Sequence, residues 1–134
     1  MKANELRIGN KVDYKGEIVE VISINGVVYS FGQLDVGIKT IGGFRIVDLK
    51  RLKPIHITEE LLVNFGFKKQ QTVDYCIRWH IGENPVTHDW LFYLVWLAGH
   101  PTPFYQNGYH LIKYVHHLQN VYFAITGEEL QITI

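Results

Sequence analysis

Two adjacent histidines, His116 and His117, are the residues whose chemistry most directly suggests metal binding or proton transfer. They lie in KYVHHLQNVYFAITGEEL, residues 113–130, where the pattern predicts a helix. Adjacent side chains on a helix point about 100° apart, and neither histidine has another ligand-type residue three or four positions away in this stretch. Because a helical metal pair needs that spacing, the local pattern predicts no metal ligand and no catalytic residue here.

One side of this helix is predicted to face a partner. A wide apolar arc on the helix should pack against a sheet. Its members are Leu111, Tyr114, Val115, Leu118, Val121, Tyr122 and Ile125. Four residues share a side outside that arc and form the predicted partner-contact surface: His116, Gln119, Asn120 and Phe123. Packing or partner contact therefore explains the histidines better than catalysis.

A second set of ligand-type residues surrounds a predicted loop. If strands 73–81 and 90–97 form a hairpin, their ends bring four side chains together: His80, Glu83, His88 and Asp89. A metal-dependent enzyme with a site there is the alternative to a binding protein. Cys76 is better explained as an ordinary strand residue than as a nucleophile. The chain contains no GxSxG, GxGxxG or GxxxxGK[ST] motif, and no cofactor is expected.

Basic and aromatic side chains in the first third of the chain suggest a second binding surface. They are Lys11, Tyr14, Lys15, Tyr29 and Arg45. Small β-barrels use such side chains to contact nucleic acid or peptide. Residues 1–55 hold nine Lys and Arg against six Asp and Glu, a mildly basic balance.

Composition limits the function classes. The 134 residues include 47% hydrophobic and 19% charged residues, as expected for a folded protein. The formal net charge is zero, which argues against a strong non-specific grip on nucleic acid. A single cysteine excludes an internal disulfide. The longest apolar run, WLFYLVWLA, is too short to cross a membrane as a helix, so no membrane contact and a cytoplasmic location are expected.

The helices and strands that are predicted to position the candidate site residues make up an α+β fold. Residues 1–55 are β-rich and are predicted to form a small SH3-like barrel module. Asn25-Gly26 and Gly42-Gly43 are predicted to be its hairpin turns.

Residues 56–134 are predicted to form an antiparallel sheet packed against one long helix. A short helix at 59–65, capped by Thr58 and ended by Gly66, comes first. Antiparallel strands follow, then helix 112–125 and a final strand at 129–133.

Three segments of the chain resemble a family of small uncharacterised proteins from anaerobic gut bacteria and their phages or mobile elements. They are KANELRIGN, PIHITEELLVNFGF and KYVHHLQNVYFAITGEEL. The family's tail is similar to VHxLQNLYFALTGEEL, and residues 68–110 resemble it much less. The shared positions are Val115, His116, Leu118, Gln119, Asn120, Tyr122, Phe123, Gly127 and Glu128. The resemblance implies a phage or mobile-element setting and no particular chemistry.

The sequence as a whole therefore favours a non-enzymatic interaction module that binds a protein or nucleic-acid partner. The enzyme near His80 is one alternative. A structural, self-assembling protein is another, and a homodimer is an open prediction because the mixed face of the strand at 73–81 needs a covering layer.

Overall fold

A computed structural model describes residues 1–29, 33–73, 76–83, 90–105 and 110–132. It shows an α+β protein with two five-stranded antiparallel sheets and one main helix. The chain divides into two compact units. The first comprises Met1–His56 and Tyr114–Asn120, and the second comprises Ile57–Lys113 and Val121–Ile134. Residues 114–120 thus group with the first unit, whereas the sequence pattern predicts the whole helix in the module 56–134.

The first unit is built on a curled antiparallel sheet of strand order β4-β3-β2-β1-β5. Its strands are β1 Lys11–Tyr14, β2 Glu17–Tyr29, β3 Gln33–Thr40, β4 Gly43–Asp48 and β5 Leu52–Lys53. Short 3-10 helices at Ala3–Glu5 and Leu49–Arg51 flank the sheet. A tight turn at Lys15-Gly16 joins β1 to β2, and both turn residues have positive φ, as a type I′ hairpin requires.

Alternating apolar residues of these strands form the core of the first unit. The fully buried members are Val12, Val19, Val21, Val36 and Ile38. Val12 pairs with Val19, and Val21 pairs with Ile38, so these side chains lie on one face of the sheet. Burial of a β-branched face of this kind is what selects the register of the sheet.

One predicted turn of this sheet is wrong, and another is shifted by one residue. Asn25 and Gly26 lie inside β2, where Asn25 pairs with Asp35, so the chain does not reverse there. Pairing of the long strand overrides the local turn preference, and the ladder is irregular between Asn25 and Tyr29. The predicted Gly42-Gly43 turn is at Ile41-Gly42, because Thr40 already pairs with Gly43.

The second unit contains a short helix, a sheet and the second half of the main helix. Helix α1 spans Glu59–Asn64. The strands are β6 Lys68–Val73, β7 Cys76–Glu83, β8 Trp90–Leu97, β9 Phe104–Tyr105 and β10 His110–Leu111, in the order β10-β9-β8-β7-β6. Helix α2 spans Val115–Thr126.

Strand β8 coincides with the apolar run WLFYLVWL, as predicted. Phe92 on this strand is buried and stacks on Tyr105 at a centroid distance of 5.3 Å. It also meets the ring of Tyr122 edge-on at 5.4 Å, which packs the second half of α2 on this sheet. Among the described residues, no helix combines the length and apolar character needed to cross a membrane.

The helix ends follow local capping rules. The Thr58 hydroxyl accepts a hydrogen bond from the backbone N–H of Leu61 at 3.2 Å, which confirms the predicted N-cap of α1. Gly66 and Gly127 have φ values of +87° and +74°, as C′ residues do after α1 and α2.

The predicted bounds of the last elements differ from the observed ones. Helix α2 begins at Val115 rather than at residue 112, because Leu111 pairs with Phe104 and the backbone N–H of Ile112 donates to Pro103. Residues 129–132, where a final strand was predicted, are not in a strand. The predicted turn at Asn107-Gly108 lies outside the described residues.

Candidate functional site

Backbone contacts with Ile55 and His56 hold the start of α2 in place. The backbone N–H of Val115 donates to the carbonyl of Ile55 at 2.9 Å, and His56 forms an isolated β-bridge with Tyr114. These bonds fix where the helix begins. His116 and His117 therefore lie in its first turn, where side chains lean toward the helix N-terminus.

Gln119 holds the backbone that leads into β1. Its side-chain carbonyl accepts a hydrogen bond from the backbone N–H of Lys11 at 2.7 Å. Its side-chain amide donates to the carbonyl of Gly9 at 3.0 Å. Gln119 is buried, so this side chain gives a backbone donor and a backbone acceptor the partners that a strand would otherwise supply.

Asn120 makes a second set of contacts with the same segment. Its amide donates to the carbonyl of Glu5 at 2.8 Å, and its carbonyl accepts from the buried amide of Asn10 at 2.9 Å. The guanidinium Nε of Arg7 lies 3.3 Å from the same oxygen. The segment 5–10 is thereby paired with residues 116–120, so the stretches ELRIGN and HHLQN contact each other.

Glu5, His116 and His117 form a cluster of ligand-type side chains. One carboxylate oxygen of Glu5, Oε2, lies 3.9 Å from Nε2 of His116 and 3.8 Å from Nε2 of His117. One ligand atom from each residue lies within 4.8 Å of the others. The two imidazole rings meet edge-on with their centroids 4.4 Å apart. The prediction from helical spacing that these adjacent imidazoles point apart is therefore wrong for this pair.

His116 is fully buried, and neither of its ring nitrogens has a hydrogen-bond partner among the described residues. Its ring stacks on Tyr114 at a centroid distance of 5.6 Å and an interplanar angle of 7°. Buried polar atoms normally have partners, and an unpaired one costs about 1–3 kcal/mol. The unpaired nitrogens thus distinguish His116 from an ordinary core residue.

The electrostatics of the cluster keep His116 neutral. The pKa of His116 is lowered from 6.5 to about 4, chiefly by burial and also by the neighbouring His117, while the Glu5 carboxylate partly opposes the shift. The backbone N–H of Lys2 lowers the pKa of Glu5, because it donates to the carboxylate. At neutral pH the cluster therefore presents a neutral imidazole beside a carboxylate.

The predicted partner-contact surface is partly internal to the first unit. His116 and Gln119 are buried, and Asn120 is partly buried against the N-terminal segment. Phe123 is exposed, and it belongs to the second unit. Three of the four residues therefore contact residues 5–11 of the same chain. Helical spacing alone does not indicate this contact.

The predicted basic and aromatic surface is partly assembled. Tyr14, Lys15 and Arg45 line an open pocket of about 220 Å³ together with Glu17, Thr40 and Gly42. The Lys15 ammonium lies 5.4 Å from the centre of the Tyr14 ring, within cation–π range. Lys11 lies outside this pocket and pairs with Glu20 at 2.7 Å. Tyr29 is in β2, and its side chain is outside the described part of the structure.

The edge of the first sheet beside this pocket is apolar. Ile41, Phe44 and Ile46 are 95%, 59% and 56% exposed, although two of them lie on the edge strand β4. Gly37 on the neighbouring strand leaves space for the Phe44 ring, because an added Cβ would come within 2.9 Å of that ring. The sequence alone does not reveal this surface, since alternation of apolar and polar residues does not tell which strand lies at the edge of the sheet.

The alternative enzyme site is only partly within the described residues. His80 is half-buried on β7 and Glu83 ends that strand, whereas His88 and Asp89 lie outside the described residues. Cys76 is half-buried on β7.

Comparison with known proteins gives no further assignment: no family model, curated protein or solved structure matches the chain.

Proposed function

We propose that this protein is a non-enzymatic interaction module that binds an extended, acidic segment of a partner protein along the edge strand β4. The exposed apolar edge carries the proposal. In the strand order β4-β3-β2-β1-β5, β4 pairs with β3 alone among the described strands, which leaves one side available for an added strand.

Soluble proteins usually protect such an edge with charged side chains or proline. Here β4 carries the exposed Phe44 and Ile46 with one charge, Arg45, between them, and the exposed Ile41 precedes it. These features suit a bound strand that pairs with the β4 backbone and contacts its apolar side chains.

The charges beside β4 favour an acidic partner segment. Lys15 and Arg45 line the pocket and would attract a carboxylate. Glu17 lines the same pocket and would repel a continuous phosphate backbone. Its carboxylate also accepts a hydrogen bond from the backbone N–H of Ile41 at 2.7 Å, which fixes it near the turn. An acidic peptide therefore fits better than a nucleic acid.

The proposal has two further parts. Residues 1–55 form an SH3-like module, and the protein acts in a phage or mobile-element setting. The curled five-stranded sheet supports the first, and the resemblance of the terminal motifs supports the second.

The test uses the full chain and a displayed library of random twelve-residue peptides. We expect enriched peptides to alternate apolar and acidic residues. We expect Ile46→Lys and Arg45→Glu each to weaken binding of the best peptide at least tenfold. Ile8→Lys is the matched control, because Ile8 is 59% exposed and lies outside β4. Its affinity should stay within twofold of the original protein.

Three results would contradict the proposal. One is peptide binding that is indifferent to both β4 variants. Another is tight binding of a single-stranded oligonucleotide that weakens with salt and is lost in Arg45→Glu, which would assign the surface to nucleic acid. The third is a stable dimer in light scattering that Ile46→Lys dissociates, which would assign the edge to a second copy.

A further inference from the structure

We propose that Glu5, His116 and His117 form a binding site for a divalent first-row transition metal ion, with Zn²⁺ as the ion that this ligand set suits best. The site shares no residue with the β4 edge, and all three of its residues belong to the first unit.

The donor atoms match the chemistry of such ions. Two imidazole nitrogens and one carboxylate oxygen are a common zinc ligand set. The imidazoles favour Zn²⁺, Co²⁺ or Ni²⁺ over Mg²⁺ and Ca²⁺, which prefer oxygen ligands. Three protein ligands leave a coordination position for water.

The geometry requires only a modest contraction. Metal–ligand bonds of about 2.0–2.1 Å in a tetrahedral site place neighbouring ligand atoms about 3.3 Å apart. Glu5 Oε2 already lies 3.8 and 3.9 Å from the two Nε2 atoms. The side chains of Glu5 and His117 are 33% and 29% exposed, so both have room to change rotamer and close the remaining gap.

The unpartnered nitrogens of His116 are an independent observation that points to a ligand. This side chain is fully buried and lies beside Glu5 Oε2, and neither of its nitrogens is hydrogen-bonded to a residue that the structure describes. A metal ion at Nε2 would give its lone pair a partner and leave the proton on Nδ1. The bound ion would also join the short 3-10 helix at Ala3–Glu5 to the start of α2.

The experiment uses the full chain, stripped of metal with a chelator and titrated with Co²⁺ and with Zn²⁺. We expect one saturable Co²⁺ ion per chain, seen by its visible d–d absorption, and displacement by Zn²⁺ but not by Mg²⁺. Glu5→Gln and His117→Gln should each lower the affinity at least tenfold. His100→Gln should leave it unchanged, because His100 is exposed and contacts the carbonyl of Thr102.

The two ligand variants are placed at partly exposed positions so that the fold survives, and circular dichroism checks this. A rise in melting temperature with Zn²⁺ should occur in the original protein and disappear in Glu5→Gln. The proposal is overturned by the absence of a saturable Co²⁺ signal. It is also overturned if the folded Glu5→Gln and His117→Gln variants bind as tightly as the original protein, or if His100→Gln loses binding as they do.

Discussion

The backbone N–H of Lys11 donates to Oε1 of Gln119 at 2.7 Å, so a helical side chain near the end of the chain supplies the hydrogen bond that the entry to β1 requires. With the bond from Gln119 to the Gly9 carbonyl, it joins residues from opposite ends of the sequence. The polar positions of the HHLQN stretch are thus explained by contacts within the first unit.

Replacing Gln119 by leucine should therefore destabilise the protein. The change removes both hydrogen bonds and leaves the N–H of Lys11 and the carbonyl of Gly9 without partners, at a cost of about 2–4 kcal/mol in the free energy of unfolding. Urea denaturation measures this. Gln131→Leu is the control, since Gln131 is exposed and should change stability by less than about 0.5 kcal/mol. Equal effects of the two changes would contradict the role of Gln119.

Stability of the metal-free protein should fall as pH falls from about 6.5 to about 4. The unfolded chain binds a proton at His116 near the ordinary pKa of 6.5, whereas the folded state does so only near a pKa of about 4, so acid favours unfolding. Complete loss of this contribution lowers the free energy of unfolding by about 3 kcal/mol. Glu5 faces His116, and its pKa is also lowered in the folded protein, so protonation of Glu5 acts in the same direction.

Unfolding in urea with a chelator, at pH 7 and at pH about 4.5, measures this dependence. His116→Phe keeps an aromatic ring without a titrating group and should flatten the dependence on pH. An unchanged slope in this variant would show that other groups cause the acid sensitivity.

Helix α1 should depend on its N-cap. Thr58→Ala removes the acceptor of the Leu61 N–H and should lower the free energy of unfolding by about 1 kcal/mol. Thr58→Ser keeps a hydroxyl at the same position and should recover most of that loss in thermal unfolding. If the serine variant is as unstable as the alanine variant, the methyl group of Thr58 and not its hydroxyl stabilises this turn.

Local signals were sufficient for several elements. Thr58 and Gly66 bound α1, and the WLFYLVWL run marks β8, because capping residues and a continuous apolar run leave clear patterns over a few residues. Asn25-Gly26 shows the limit of such signals. Pairing between β2 and β3 continues through it, since a long ladder outweighs the preference of one dipeptide.

The Glu5 cluster could not be predicted from helical spacing. The third ligand-type residue, Glu5, is far from the histidines in the sequence, and its carboxylate lies near both imidazoles. The polar residues present in both ELRIGN and HHLQN are the signal that could have indicated a contact between these two stretches. Tyr14, Lys15 and Arg45 were predicted as contact residues and line one pocket, whereas Lys11 lies outside that pocket and pairs with Glu20.

The most direct test of the pairing between the two ends is a double-mutant cycle on Asn10 and Asn120, whose side chains are joined by a 2.9 Å hydrogen bond. The free energy of unfolding is measured for Asn10→Ala, Asn120→Ala and the double variant, with Thr58→Ala as an unrelated third change. We expect a coupling energy of about 1 kcal/mol between Asn10 and Asn120 and additive effects with Thr58. Additivity of the Asn10 and Asn120 changes to within about 0.3 kcal/mol would contradict the pairing.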